Sequence, residues 1–151
     1  MQRADQRSPT RVELEVYNKV LKLSDHVLSV SKPKDQNINT KHIPKRNAGL
    51  GRQLMETCVE LGADILEANE IYVGGNLNTE QRIRNYKERI MLQDHAKRLT
   101  YRLEHIFRIL HTDRPFAEST SGYMMDLICE TRELIIAWRE SDTKAVKQLT
   151  K

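Results

Sequence analysis

Aromatic side chains are scarce in this sequence: one Trp, five Tyr and two Phe, 5% of the chain, against 30% charged residues. Sandwiches and barrels fill two sheet faces with aromatic and β-branched residues, so this balance favours a helical protein. Long hydrophobic runs are missing too. The longest is Leu134–Trp138, far below the ~20 apolar residues that cross a bilayer. No apolar segment follows Met1, so neither a signal peptide nor a membrane partner is expected. Cysteine is limited to Cys58 and Cys129, both among helical apolar positions. They read as reduced core thiols of a cytoplasmic protein. Catalytic motifs are absent as well. Gly49-Leu50-Gly51 lacks the strand context and third glycine of a phosphate loop, and there is no H-E-x-x-H and no Glu-x-x-His pair. The expectation is no enzyme, no cofactor and no metal.

Regular helical spacing is what the chain does have. The stretch His42–Tyr72 places Leu50, Leu54, Cys58, Leu61, Ile65, Ala68 and Tyr72 at steps of three and four, one stripe of an α-helix. Pro44 suits a first turn, where no helical partner for an N–H exists. Gly49, Gly51 and Gly62 each cost about 1 kcal/mol relative to Ala, which points to close packing against a neighbour. Upstream, Val16, Tyr17, Val20, Leu21, Val27 and Val30 predict a helix over Arg11–Ser31, with Thr10 and Glu13 as its capping box. Pro33 ends it, and Lys32–Lys41 reads as a loop. Gly74-Gly75-Asn76 offers positive φ to stop the second helix.

Thr79 opens a third helix that runs to about His111, with the seam Leu92, Ala96, Leu99, Leu103, Ile106, Phe107 and Leu110. Ahead of Leu92, the apolar residues Ile83, Tyr86 and Ile90 fall about 140° round the helix. They are the candidate oligomer interface. Ser119 or Ser121 is expected to cap a fourth helix with Met124, Leu127, Ile128, Leu134, Ile135 and Trp138 in its seam; Trp138 and Tyr123 read as core or interface residues. The expected organisation is a flexible N-terminal arm (1–10), a bundle (11–141) and a basic C-terminal tail (142–151). Four amphipathic helices joined by short loops make an all-α, antiparallel up-down four-helix bundle.

Charge is uneven over these helices. The net charge is +4 and the estimated pI 9.1. The second helix carries three basic and five acidic residues, the third eight basic and four acidic. At 100° per residue Arg84, Lys87, Arg98, Arg102 and His105 lie within about 60° of one another, opposite the Leu92–Leu110 seam. Such a line suits a phosphate backbone, whose neutralisation releases counterions, and Arg favours forked contacts. The competing reading is a solvated face with local ion pairs such as Glu104–Arg108. Lys45 and Arg46 stand at a helix start, where the dipole disfavours cations, and join the candidate nucleic-acid-binding residues.

Two resemblances carry further expectations. Arg89 followed by His95 resembles the R-x(4–6)-H element of the HEPN ribonucleases, which implies RNA cleavage through His95. Ile43-Pro44-Lys45-Arg46, then Leu50-Gly51, then a helix through Ile65 and Ala68, with the later seam Leu99–Leu103–Ile106–Leu110, resembles the accessory variability determinant (Avd) proteins of diversity-generating retroelements. These belong to a four-helix-bundle family that includes the 23S rRNA intervening-sequence proteins. That second branch carries R-R-A-x-x-S-I-x-x-N-I-x-E-G after its Pro element; here the chain reads Gly51-Arg52-Gln53-Leu54 and Leu66-Glu67-Ala68-Asn69-Glu70. The likeness spans about Val16 to Arg139. It implies a non-catalytic homopentamer that binds a reverse transcriptase together with template RNA and its cDNA, in support of mutagenic cDNA synthesis. The alternative it implies is a protein-interaction bundle of the intervening-sequence type, without nucleic-acid binding.

Overall fold

The computed structural model describes residues 11–31 and 43–151. Four helices make up the fold: α1 (Arg11–Ser31), α2 (Ala48–Glu70), α3 (Thr79–Asp113) and α4 (Glu118–Leu149). A single 3-10 turn, Lys45–Asn47, leads into α2. Each helix packs on its neighbours in the chain, and α4 closes on α1. The architecture is the expected all-α, up-down four-helix bundle. The expected arm at 1–10, the Thr10 cap and the loop at 32–41 lie outside the described residues.

The seams fill one core. Val16, Val20, Leu23 and Val27 of α1 meet Leu54, Cys58, Leu61 and Ile65 of α2, Leu99, Leu103 and Phe107 of α3, and Met124, Ile128 and Ile135 of α4. Trp138 is buried with them, whereas Tyr123 stands half exposed with its ring edge-on to His26. Cys58 is buried beside the Ser24 hydroxyl, 3.3 Å away, while Cys129 is only partly covered; both are free thiols.

Only one of the three α2 glycines is closely crowded. A Cβ on Gly51 would stand 3.2 Å from the Ile43 side chain, and Ile43 is pinned there by its N–H donating to the Val30 carbonyl at 2.8 Å. Gly62 meets Val20 at an ordinary 3.6 Å, and Gly49 faces open space. The Gly74-Gly75 pair does not end α2 either. The helix stops at Glu70, where Ile71 turns extended, and neither glycine adopts a left-handed φ. Side chains of α3 hold this connection instead: Asn85 donates to the Tyr72 carbonyl and Arg82 to that of Val73, at 2.8 and 3.2 Å.

Helix starts differ from expectation by small shifts. The cap of α3 is Asn78, one residue earlier than Thr79, and Gln81 completes a reciprocal capping box with it. No side chain caps α4: Ala117 precedes it, and the Ser121 hydroxyl donates to the Glu118 carbonyl inside the first turn. The largest correction is at the other end of α4. Residues expected as a tail continue the helix to Leu149, and Asp142 is buried. A buried carboxylate with bonding partners holds those last turns to the bundle, which composition alone does not reveal.

Candidate nucleic-acid interface

The outward face of α3 carries the predicted stripe. Arg84, Lys87, Arg98, Arg102 and His105 are all exposed, and at 1.5 Å per residue the line runs for about 31 Å. Among the described residues none of the five takes part in an ion pair or a side-chain hydrogen bond. Several arginines elsewhere are matched by carboxylates. Arg108 pairs with Glu104 at 2.9 Å, Arg132 with Glu104 at 2.7 Å and Arg139 with Asp94 at 2.5 Å. Glu104 is held below its usual range by the hydrogen bonds from Arg132 and Arg108. Local ion pairing therefore describes Arg108, whereas the five stripe residues stand exposed in solvent. Two large apolar side chains that the charge reading passed over share this face: Met91, 71% exposed, and Ile109, 40% exposed. Glu80 stands on it as well, in the first turn, where the helix dipole stabilises a carboxylate.

Lys45 and Arg46 lie apart from the middle of the stripe. The 3-10 turn that carries them sits against the C-terminal end of α3, where Arg46 pairs with Asp113 at 3.0 Å and Asn47 donates to the same carboxylate at 2.7 Å. Asn47 first, then Arg46, keeps the Asp113 carboxyl below its ordinary value. Arg46 is thus partly neutralised by a tie across the loop end, and Lys45 is exposed without such a partner among the described residues.

Ile83, Tyr86 and Ile90 are each half-buried. They share the flank of α3 that carries Asp94 and Glu104, whose partners Arg139 and Arg132 belong to α4. Because α4 continues to Leu149, that flank has a neighbour within the chain. None of the three is among the exposed large apolar side chains of the described residues.

The buried face of α3 explains the apparent break in its seam. Arg89 and Gln93 occupy the seam ahead of Ala96, and both are buried. Arg89 reaches Asp142 with Nε at 2.9 Å and Nη2 at 3.0 Å, and its Nη1 lies 3.2 Å from Glu13. Gln93 donates to Asp142 at 2.7 Å, and the guanidinium lies over the Trp138 ring at 5.3 Å. Burial raises the Asp142 carboxyl above its ordinary value, against the opposing pull of Arg89 and Gln93. Two buried carboxylates share one guanidinium here. Among the described residues the Gln93 Oε1 and Trp138 Nε1 atoms have no hydrogen-bond partner. Sequence reading missed this cluster because it counted apolar residues alone. The signal was present in register: Arg89, Gln93, Ala96 and Thr100 step by four, three and four, and Asp142 follows Trp138 by four.

Arg89 and His95 do not form one site. Arg89 points into the α1–α4 side of the core, while His95 bonds α2, with Nδ1 2.5 Å from Asp64 Oδ2 and Nε2 3.7 Å from Glu60. The Asp64 carboxyl is raised by burial, with the His95 contact opposing that shift. A ribonuclease of the Arg–His type needs both groups at one phosphate, and here each is engaged by its own carboxylates, Arg89 by Asp142 and Glu13 and His95 by Asp64 and Glu60. Among the described residues no group of three or more His, Cys, Asp or Glu side chains is arranged to hold a metal ion, and no helix is long and apolar enough to cross a membrane. Compared with protein-family models, with curated proteins and with solved structures, the chain has no match.

Proposed function

We propose that the protein is a non-catalytic, nucleic-acid-binding accessory subunit of a diversity-generating retroelement. In this role it engages template RNA and cDNA and partners a reverse transcriptase. The observation that carries the reading is the α3 stripe: five basic side chains in line, exposed and without ion partners among the described residues. Cations left unmatched along about 31 Å of helix form a track for phosphates, since their counterions are released when nucleic acid binds. Met91 and Ile109 between and beyond them add apolar contact area for sugars and base faces. The Avd resemblance supplies the biological setting and the pentamer, in which a protomer charge of +4 becomes about +20 and deepens the attraction for RNA.

Fluorescence anisotropy with a labelled single-stranded RNA tests the reading. Affinity for the wild-type protein should fall steeply with salt, by roughly 10- to 1,000-fold between about 50 and 200 mM. Arg84→Glu/Arg98→Glu/Arg102→Glu should abolish binding. Wild-type affinity in that triple variant, or binding indifferent to salt, would remove the stripe as the contact surface.

A further inference from the structure

A second surface differs in kind from the basic face of α3. Of the eight large apolar side chains exposed on the described residues, four, Leu21, Leu28, Val59 and Leu66, belong to α1 and α2. Two contacts fix how these helices meet. Ser24 Oγ lies 3.3 Å from Cys58 Sγ, and the Cβ position of Gly62 is 3.6 Å from Val20. Leu21 and Leu28 are seven residues apart, as are Val59 and Leu66, so each pair lies within about 20° on its own helix. Leu21 follows Val20, Leu28 comes one turn after Ser24, Val59 follows Cys58, and Leu66 comes one turn after Gly62. Both pairs therefore flank the α1–α2 seam on its solvent side. Half-buried Tyr17 and Met55 pack against the core on the same side, extending the apolar surface beyond two turns of helix.

The bundle does not need this strip. The core seams of α1 and α2 are complete without it, and an exposed apolar stripe beside a finished core marks a contact surface. Its rim identifies the partner's chemistry. From Ala48 to Glu70, α2 carries one arginine, Arg52, and five carboxylates. Against two cations, Lys22 on α1 and Arg52 in line with Val59 and Leu66 on α2, stand the carboxylates of Glu56 and Glu67 on α2 and Asp25 on α1, which leave the rim net acidic. All three carboxylates are exposed, and none has an ion pair among the described residues. Such a rim repels nucleic acid and anionic bilayers. It attracts a helix whose apolar face is flanked by Lys and Arg.

We propose that the α1–α2 face docks a cationic amphipathic helix of a partner protein. α1 and α3 are diagonal in the bundle, each packing on α2 and α4, so this face and the basic stripe can be occupied together. The inference stands independently of RNA binding. It locates the protein contact that the accessory-subunit reading requires.

The test titrates the full chain against a fluorescent Leu/Lys amphipathic peptide of about 18 residues, with a Leu/Glu peptide of the same pattern as control. The Leu/Lys peptide should bind and the Leu/Glu peptide should not. Leu21→Ser/Val59→Ser and, separately, Glu56→Lys/Glu67→Lys should each weaken binding by roughly ten-fold or more, with helical circular dichroism and RNA affinity no weaker than wild type. Arg84→Glu/Arg98→Glu/Arg102→Glu should leave peptide binding intact, so failure of either surface is distinguishable from failure of the other. Peptide affinity unchanged in both α1–α2 variants overturns the proposal. So does light scattering that shows a wild-type oligomer becoming monomeric in Leu21→Ser/Val59→Ser, because the face would then belong to a second copy.

Discussion

Near the α3–α4 connection, Phe107 and Phe116 stack with centroids 5.0 Å apart, with His111 beside them and Leu103 and Leu110 on the same buried face. Roughly 27 Å back along α3, the equivalent buried face carries Arg89 and Gln93, tied to Glu13 and Asp142. The two ends occupy the same seam and the same helix pairing but solve burial differently. At the aromatic end, contact area is stabilising in itself. At the ionic end, each group is stable only while its partners stay in place, because an unpaired charge out of water is costly. An apolar end therefore tolerates local change gradually, whereas the ionic end couples α1, α3 and α4.

The sharpest way to separate the ends is Arg89→Ala. It leaves two buried carboxylates without their cation and should cost about 3–5 kcal/mol in urea unfolding. Phe107→Ala should cost a similar ~3–5 kcal/mol through cavity formation. Rescue distinguishes them: Glu13→Leu/Arg89→Met/Asp142→Leu should restore stability to within about 1 kcal/mol of wild type or beyond it. A triple variant no better than Arg89→Ala would mean the ionic end owes its stability to more than packing and charge balance.

Ending the chain after Ser141 should have a smaller effect, about 1–3 kcal/mol, because Arg89 keeps Glu13 when Asp142 is lost. A tail outside the bundle would predict no change in urea midpoint.

The smallest effect is in pH. Burial raises the folded Asp142 carboxyl above its ordinary value, despite facing Arg89 and Gln93, and Glu13 adds to the rise. The folded chain therefore binds this proton at a higher pH than the unfolded chain, and its contribution to stability grows as pH falls. The Tm difference, wild type minus Asp142→Asn, should increase from pH 7 to about pH 5. A difference that stays flat or shrinks would show that the Arg89 pairing outweighs burial.

The same comparison explains what could be read from the sequence. Seams such as Leu54–Cys58–Leu61–Ile65 and Leu99–Leu103–Phe107–Leu110 were legible because apolar side chains at helical spacing have one way to leave water. The α1 boundaries and the exposure of the α3 stripe followed from the same periodicity. The ionic end was not legible, since Arg89, Gln93 and Asp142 look like surface residues until a partner is in reach. That blind spot made the last two turns of α4 look like a tail.

The sequence by itself determined the number of helices, their amphipathic faces and a third helix richer in cations than the rest, because these depend on residue identity and local spacing. Tertiary structure decided which charges are buried, which are paired and which apolar side chains stay exposed. Arg89 and Arg84 are five residues apart on one helix. One is closed among Glu13, Asp142 and Trp138 and the other stands in solvent, because the assembled bundle brings Glu13 of α1 and Asp142 of α4 to the first and neither to the second.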